Sequence, residues 1–241
     1  MAILEFWPES VLRGSVICCH GFRGTKENGG NICQFAAELN NLGLGVIAFD
    51  FAGSGESPGN FAEVTLSGQK ADLNEVIAYV AGKTRLPLFL LGRSFGGSTV
   101  IAAASDPQVL AVILWSAPVL LFSTFTHMLG EDQLNAWQKA ESVVIEDEDG
   151  SYELGYQLLK DFARHNMEDY LTVYAASQRP LLIVQGMDDD VVLPDNAYKI
   201  KELVPHAQLN IVGGADHRFT GMTELRQEMT LAWIKDILDI N

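Results

Sequence analysis

Ser94 stands in Gly92-Arg93-Ser94-Phe95-Gly96. A serine hydroxyl becomes a nucleophile at neutral pH only when a base takes its proton and an acid orients that base. Both partner types lie downstream. Gly186-Met187-Asp188-Asp189-Asp190 offers three consecutive carboxylates, and Gly214-Ala215-Asp216-His217 offers an imidazole in a glycine-rich loop. These residue types suit attack on a carbonyl carbon, with His217 as general base, and serine, then acid, then histidine is the order expected where strands and helices alternate around a nucleophile turn. The oxyanion formed by such an attack needs two N–H donors. The Phe95 N–H follows the nucleophile directly, and the second is expected from His20-Gly21-Phe22, at the Phe22 N–H. Position alone leaves Asp188, Asp189 and Asp190 open as the acid. His20 and Asp50 are expected to be structural, fixing the loops in which they sit. His127, His165 and His206 have no comparable setting.

These groups can converge only if the elements carrying them end at one edge of a sheet. Leu86–Leu91 is an apolar run of strand length, and Gly97–Ala104 is small and apolar enough for a helix packed on a sheet. Strand, tight glycine-flanked turn and helix is the context in which a serine is pushed out of the backbone. Further strands are expected at Ser15–Cys19, Leu44–Phe49, Val109–Trp115, Leu181–Gln185 and Gln208–Val212. Helical spacing marks residues 29–41, 67–81, 195–204 and 223–240, the last with Leu225, Met229, Trp233 and Ile237 on its buried stripe. Continuous apolar strands alternating with helices indicate an α/β fold, a mostly parallel sheet covered on both faces. Residues 1–14 are expected to add an antiparallel edge strand or a hairpin turning at Arg13-Gly14. More than sixty residues separate the strands at 109–115 and 181–185, too many for a simple crossover. This stretch is expected to form a cap, residues 118–178, on a core of residues 1–117 and 179–241. A β-hairpin with the acidic run Glu146–Gly150 at its tip belongs to it.

The net charge of −15 argues against nucleic acid and anionic membranes as partners. No apolar run reaches the roughly 18 residues of a membrane span. Three cysteines imply no disulfide framework, and Met1–Pro8 lacks the basic start and long apolar core of a secretory leader, so a cytoplasmic location is expected. Histidines and carboxylates do not cluster at metal-ligand spacing, and Gly53-Ser54-Gly55 lacks the third glycine of a dinucleotide loop. Neither a metal nor an organic cofactor is expected.

His20-Gly21-Phe22, Asp50–Ser57, Gly92–Gly97, Gly186–Pro194 and Gly214–Phe219 together resemble the α/β-hydrolase superfamily over nearly the whole chain. They look most like the small bacterial esterases that include the cinnamoyl and feruloyl esterases. The resemblance implies an eight-stranded, mostly parallel sheet with a cap inserted between strands 6 and 7. It places the acid three residues after the glycine that ends its strand, at Asp189. The catalytic set it implies is Ser94, Asp189 and His217, with Phe22 and Phe95 as oxyanion donors. Arg93 and Phe95 flank the serine where other residue types are common in the superfamily.

The implied activity is hydrolysis of carboxylic esters, of short acyl or hydroxycinnamoyl type, through an acyl-enzyme. Thioester hydrolysis and peptidase activity of the serine aminopeptidase type share the same machinery and are the alternatives. A non-catalytic binding protein would usually lack a triad member, and none is missing here. Gln133, Trp137 and Tyr156 are the cap residues expected to contact a ring-bearing acyl group. The partner is a small-molecule ester, and related esterases make a homodimer reasonable, although no residue pattern specifies one.

Overall fold

Five strands of six or seven residues are almost wholly buried, which is what an apolar run between two helical layers requires. A computed structural model describes residues 1–27, 31–139, 141–147 and 150–240. In chain order the central sheet uses β1 (Ile3–Phe6), β2 (Gly14–Cys19), β3 (Leu44–Phe49), β4 (Leu88–Arg93) and β5 (Val109–Trp115), then β8 (Leu181–Gly186) and β9 (Gln208–Val212). Their spatial order is β1-β3-β2-β4-β5-β8-β9. All neighbours are parallel except β1, which runs antiparallel to β3.

The sheet thus holds seven strands among the described residues, where the resemblance implied eight. Both edges of β2 are taken, by β3 and β4, so the residues before it cannot form a hairpin with it. The outer edge of β3 remains, and β1 fills it. Pro8 cannot donate a ladder hydrogen bond and no strand forms between β1 and β2. The cap consequently follows the fifth strand of the central sheet and precedes the sixth.

Alternation along the strands sends side chains to two cores. Leu88 and Leu90 face one with α2 (Leu66–Lys83), α3 (Phe95–Ala103), α7 (Met167–Ala176) and α8 (Asp195–Leu203). Phe89 and Leu91 face the other with α1 (Ile32–Asn41) and α9 (Thr223–Ile240). Cys19 and Cys18 likewise divide between the two cores. The buried stripe of α9 differs from the expected one. Arg226, Gln227, Thr230, Trp233, Ile234 and Leu238 are buried, while Leu225 is exposed. The helix turns this way because Arg226 stacks on Trp115, whose indole N–H donates to Thr230 Oγ1 at 3.0 Å.

The insertion contains α4 (Leu121–Leu129), α5 (Glu131–Lys139), the antiparallel pair β6 (Ser142–Asp147) and β7 (Gly150–Gly155), and α6 (Gln157–Phe162) before α7. Glu148 and Asp149, at the expected acidic tip, lie outside the described residues. Phe125, Leu134, Trp137, Ile145, Leu154 and Phe162 join the same core as the sheet's first face. Polar ties hold the insertion down. Asn196 accepts from the Val119 and Leu120 N–H groups, both at 2.9 Å. Asp161 accepts from the Ser67 N–H and hydroxyl at 2.8 and 2.6 Å, at the amino end of α2, where an anion is favoured.

Candidate active site

Ser94 lies between β4 and α3 with φ +49°, a backbone conformation that non-glycine residues rarely adopt. Its N–H donates to the Trp115 carbonyl at 2.8 Å and its carbonyl accepts from the Gly97 N–H at 2.7 Å. The turn is tight because Gly96 lies against the end of β2. A Cβ on Gly96 would overlap the carbonyl oxygens of His20 and Cys19. The amino end of α3 points at the serine.

His217 joins the other two strand-end groups. Its Nε2 is 3.1 Å from Ser94 Oγ, and its Nδ1 is 2.9 and 3.1 Å from the two carboxylate oxygens of Asp189. The loops after β8 and β9 are bonded to each other. Met187 N–H donates to Val212 O at 2.8 Å and Asp188 N–H to Ala215 O at 3.0 Å. Gly186 permits this approach, since a Cβ there would run into the Ala215 carbonyl. Of the three consecutive acids, Asp189 is the buried one. It also accepts from Gln185 Nε2 (3.0 Å) and from the Val191 and Val192 N–H groups (3.1 and 2.8 Å). Burial alone would raise its pKa, but the imidazole and the N–H donors outweigh it and hold the carboxyl below its ordinary value. A carboxylate so held stays ionised and fixes the imidazole with its proton on Nδ1.

Neither the Phe22 nor the Phe95 N–H has a hydrogen-bond acceptor among the described residues. His20 shapes the loop carrying Phe22. The Phe51 N–H donates to its Nε2 at 3.2 Å, which leaves the ring proton on Nδ1, 2.8 Å from the Gly21 carbonyl. Burial pushes its pKa down and favours this neutral form. Asp50 accepts from the Lys26 N–H and ammonium at 2.7 and 2.8 Å and from the Glu56 N–H at 2.9 Å. Lys26 is itself buried and also meets Glu56 at 2.6 Å, so one cation ties the Phe22 loop to the loop after β3. The sequence singled out Asp50 but not Lys26. A lysine beside Glu27 in a loop shows no periodicity, and only its burial distinguishes it.

Aromatic rings crowd the oxyanion side. The Phe22 ring meets Phe61, Phe95, Phe125 and Tyr152 edge-on, with centroids 5.0 to 6.0 Å apart. The Arg23 guanidinium lies 4.1 Å over the Tyr152 ring. The cap hairpin and α4 therefore reach the loop beside Ser94. Gln133, Trp137 and Tyr156 occupy different settings. Gln133 is exposed on α5, Trp137 is 0 % exposed in the cap packing, and Tyr156 is half-buried before α6 with the Lys160 ammonium 4.8 Å over its ring. Among the described residues no group of His, Cys, Asp and Glu side chains is placed to hold a metal ion.

The chain has relatives of known family and fold. The model of a family described as serine aminopeptidase, S33, matches residues 10–140. The mitochondrial palmitoyl-protein thioesterase ABHD10 of Bos taurus is 24 % identical over 209 residues, which cover 83 % of this chain and 65 % of that protein. The chain thus spans about 65 % of the length of the relatives it matches first. Lipase 1 of Psychrobacter immobilis is 23 % identical over 230 residues, 84 % of this chain and 70 % of that protein. Among solved structures, ferulic acid-bound Est1E from Butyrivibrio proteoclasticus superposes with a TM-score of 0.84 at 22 % identity, covering 98 % of this chain and 94 % of that one. Such likeness establishes the α/β-hydrolase fold.

Proposed function

The chain belongs to the serine aminopeptidase S33 family of α/β-hydrolases, and from that premise we propose that it is a serine hydrolase cleaving carboxylic esters. The observation that carries the reading is the unbroken hydrogen-bond chain from Asp189 through His217 to Ser94 Oγ. Ser94 attacks the ester carbonyl while His217 Nε2 takes its proton. The imidazolium is stabilised by Asp189, whose lowered pKa keeps it anionic. The Phe22 and Phe95 N–H groups receive the oxyanion. Collapse of the tetrahedral intermediate releases the alcohol with the proton from His217. Water deprotonated by His217 then attacks the acyl-enzyme, and Ser94 recovers its proton as the acid leaves.

Thioester hydrolysis is the second reading, favoured by the relatives that are named palmitoyl-protein thioesterases. Peptidase activity is the third, suggested by the description of the family. The test compares matched p-nitrophenyl esters, methyl hydroxycinnamates, acyl thioesters and amino-acid amides on the wild-type protein and Ser94→Ala. Ester turnover that is lost by about 10⁴-fold or more in Ser94→Ala is the expected result. Ester turnover that survives the substitution, or turnover of amides alone, would overturn it.

A further inference from the structure

The Phe22 N–H, one of the two oxyanion donors, lies inside a tight turn. The Gly24 N–H donates to the Gly21 carbonyl at 2.9 Å, so Phe22 and Arg23 are the two central residues of that turn. Arg23 has φ +56°, a value that glycine or asparagine normally supplies at this position. The inner end of the turn rests on the nucleophile, since a Cβ on Gly21 would stand 3.0 Å from Ser94 Cβ. A strained turn keeps its shape only where its surroundings over-determine it.

Both feet of the turn are pinned to one dipeptide that follows β3. On the near side, His20 Nε2 accepts from the Phe51 N–H at 3.2 Å. On the far side, Lys26 binds the Asp50 carboxylate twice, through its own N–H at 2.7 Å and its ammonium at 2.8 Å. Asp50 is itself fixed, by the Glu56 N–H on its carboxylate at 2.9 Å and by the Ser57 hydroxyl on its carbonyl at 2.6 Å. The Lys26 ammonium also meets Glu27 at 2.9 Å and Glu56 at 2.6 Å, so its three donors are all used within this tie and none is left for a substrate. We propose that Lys26 is a positioning residue for the oxyanion hole, clamping the far foot of the turn to Asp50 so that the Phe22 N–H stays aimed at the forming oxyanion. Such a donor acts on the charge that develops in the transition state. A loosened foot therefore lowers kcat and leaves ground-state binding in place.

The inference rests on the ester-hydrolase reading, and the experiment separates the two. Wild type, Lys26→Met and the double variant Lys26→Met/Asp50→Asn are compared in kcat and KM on p-nitrophenyl butyrate, in binding of butylboronic acid by calorimetry, and in urea unfolding. The boron atom takes the Ser94 oxygen, the hydroxyl proton passes to His217, and the tetrahedral adduct sets an oxygen in the oxyanion hole without turnover. Lys26→Met leaves the Asp50 carboxylate buried without its main cation, which destabilises the fold. The double variant removes that charge too and should regain much of the unfolding midpoint. In both variants kcat is expected to fall by about 10 to 100-fold with KM within about threefold, and boronate affinity to weaken by about tenfold or more. A kcat and a boronate affinity that recover with stability in the double variant, or that stay at wild-type values in both, would make Lys26 a structural residue only. Folded wild type that binds the boronate but hydrolyses no ester would overturn the ester-hydrolase reading, and the boronate comparison would still decide the role of Lys26. Folded wild type that does neither would overturn both.

Discussion

The loops at the carboxyl edge of the sheet and the cap above them are held by different forces. Asp189 accepts from His217, Gln185, Val191 and Val192, and Asp50 accepts from Lys26 and Glu56. Such bonds are directional and tolerate few substitutes. The cap meets the site mainly through ring edges, Phe125 and Tyr152 on Phe22 and Phe162 on Phe95. Those contacts are individually small and accept many apolar residues. Chemistry is therefore placed by the loops, while the cap offers a surface that can change without disturbing it.

The most demanding test of that division is Asp189→Asn. The amide retains the shape of the acid but cannot offer both oxygens to the imidazole, and it favours the wrong tautomer. We expect kcat on a p-nitrophenyl ester to fall by about 10³ to 10⁴-fold with the fold intact by circular dichroism. A loss under about tenfold would mean that the loop's bonds are scaffolding only. The cap should respond in stability instead. Trp137→Ala is expected to cost about 3 to 5 kcal/mol in urea unfolding. Trp137→Phe should cost far less, since the indole N–H has no acceptor among the described residues. Gln133→Ala, at an exposed position, should change neither stability nor acyl selectivity measurably. Altered aryl selectivity in Gln133→Ala would show that the cap recognises rings through a different arrangement.

The same contrast explains what the sequence made legible. Ser94 and His217 are legible because a tight turn demands Gly96, a close approach of two loops demands Gly186, and the strands feeding both are continuous apolar runs. Asp189 stands apart from Asp188 and Asp190 only through the resemblance, because the burial that distinguishes it leaves no mark in a run of three identical residues. The alternation of elements is legible for the same reason. Trp137 and Gln133 are four residues apart on one helix, yet one is wholly buried and the other exposed. A tryptophan packed inside the cap and one facing a substrate look alike in the sequence, because burial in the cap depends on which neighbours fold back over it. Arg226 was hidden more deeply still. In helical spacing an arginine marks a solvated face, and here it is 2 % exposed, stacked 4.2 Å from Trp115 and 4.9 Å from Phe219.

That arginine lies beneath the loops and offers a subtler way to disturb them. Phe219 is two residues from His217, and Trp115 carries the carbonyl that holds the Ser94 N–H. One guanidinium plane thus packs against residues on both sides of the Ser94–His217 bond. Arg226→Met should lower kcat by about tenfold with KM within about twofold, because the misplacement affects the proton transfer and not substrate contact. Arg226→Lys keeps the charge over the rings and should recover part of the loss. A drop confined to melting temperature, with kcat unchanged, would make Arg226 a packing residue only.

The smallest effect concerns the tie between cap and core. His165 Nε2 is 2.8 Å from Ser67 Oγ and its Nδ1 is 3.0 Å from the Tyr170 hydroxyl. The Ser67 hydroxyl gives its proton to Asp161, so the neutral imidazole must donate from Nε2 and accept at Nδ1. Desolvation lowers the His165 pKa below its ordinary 6.5, and Lys70 and Arg164 push the same way, against the opposing pull of Asp161. The folded state therefore prefers the neutral ring. Its contribution is fully present above about 6.5 and is lost as pH falls through the depressed folded value. Buried His20 shifts in the same direction and adds to the same window. The melting temperature should decline between pH 7 and pH 5, with His165 supplying part of the decline. His165→Gln should flatten part of that decline and leave the His20 share. An identical pH profile in His165→Gln would mean that the tie between Ser67, Asp161 and the cap holds whether or not this ring is charged.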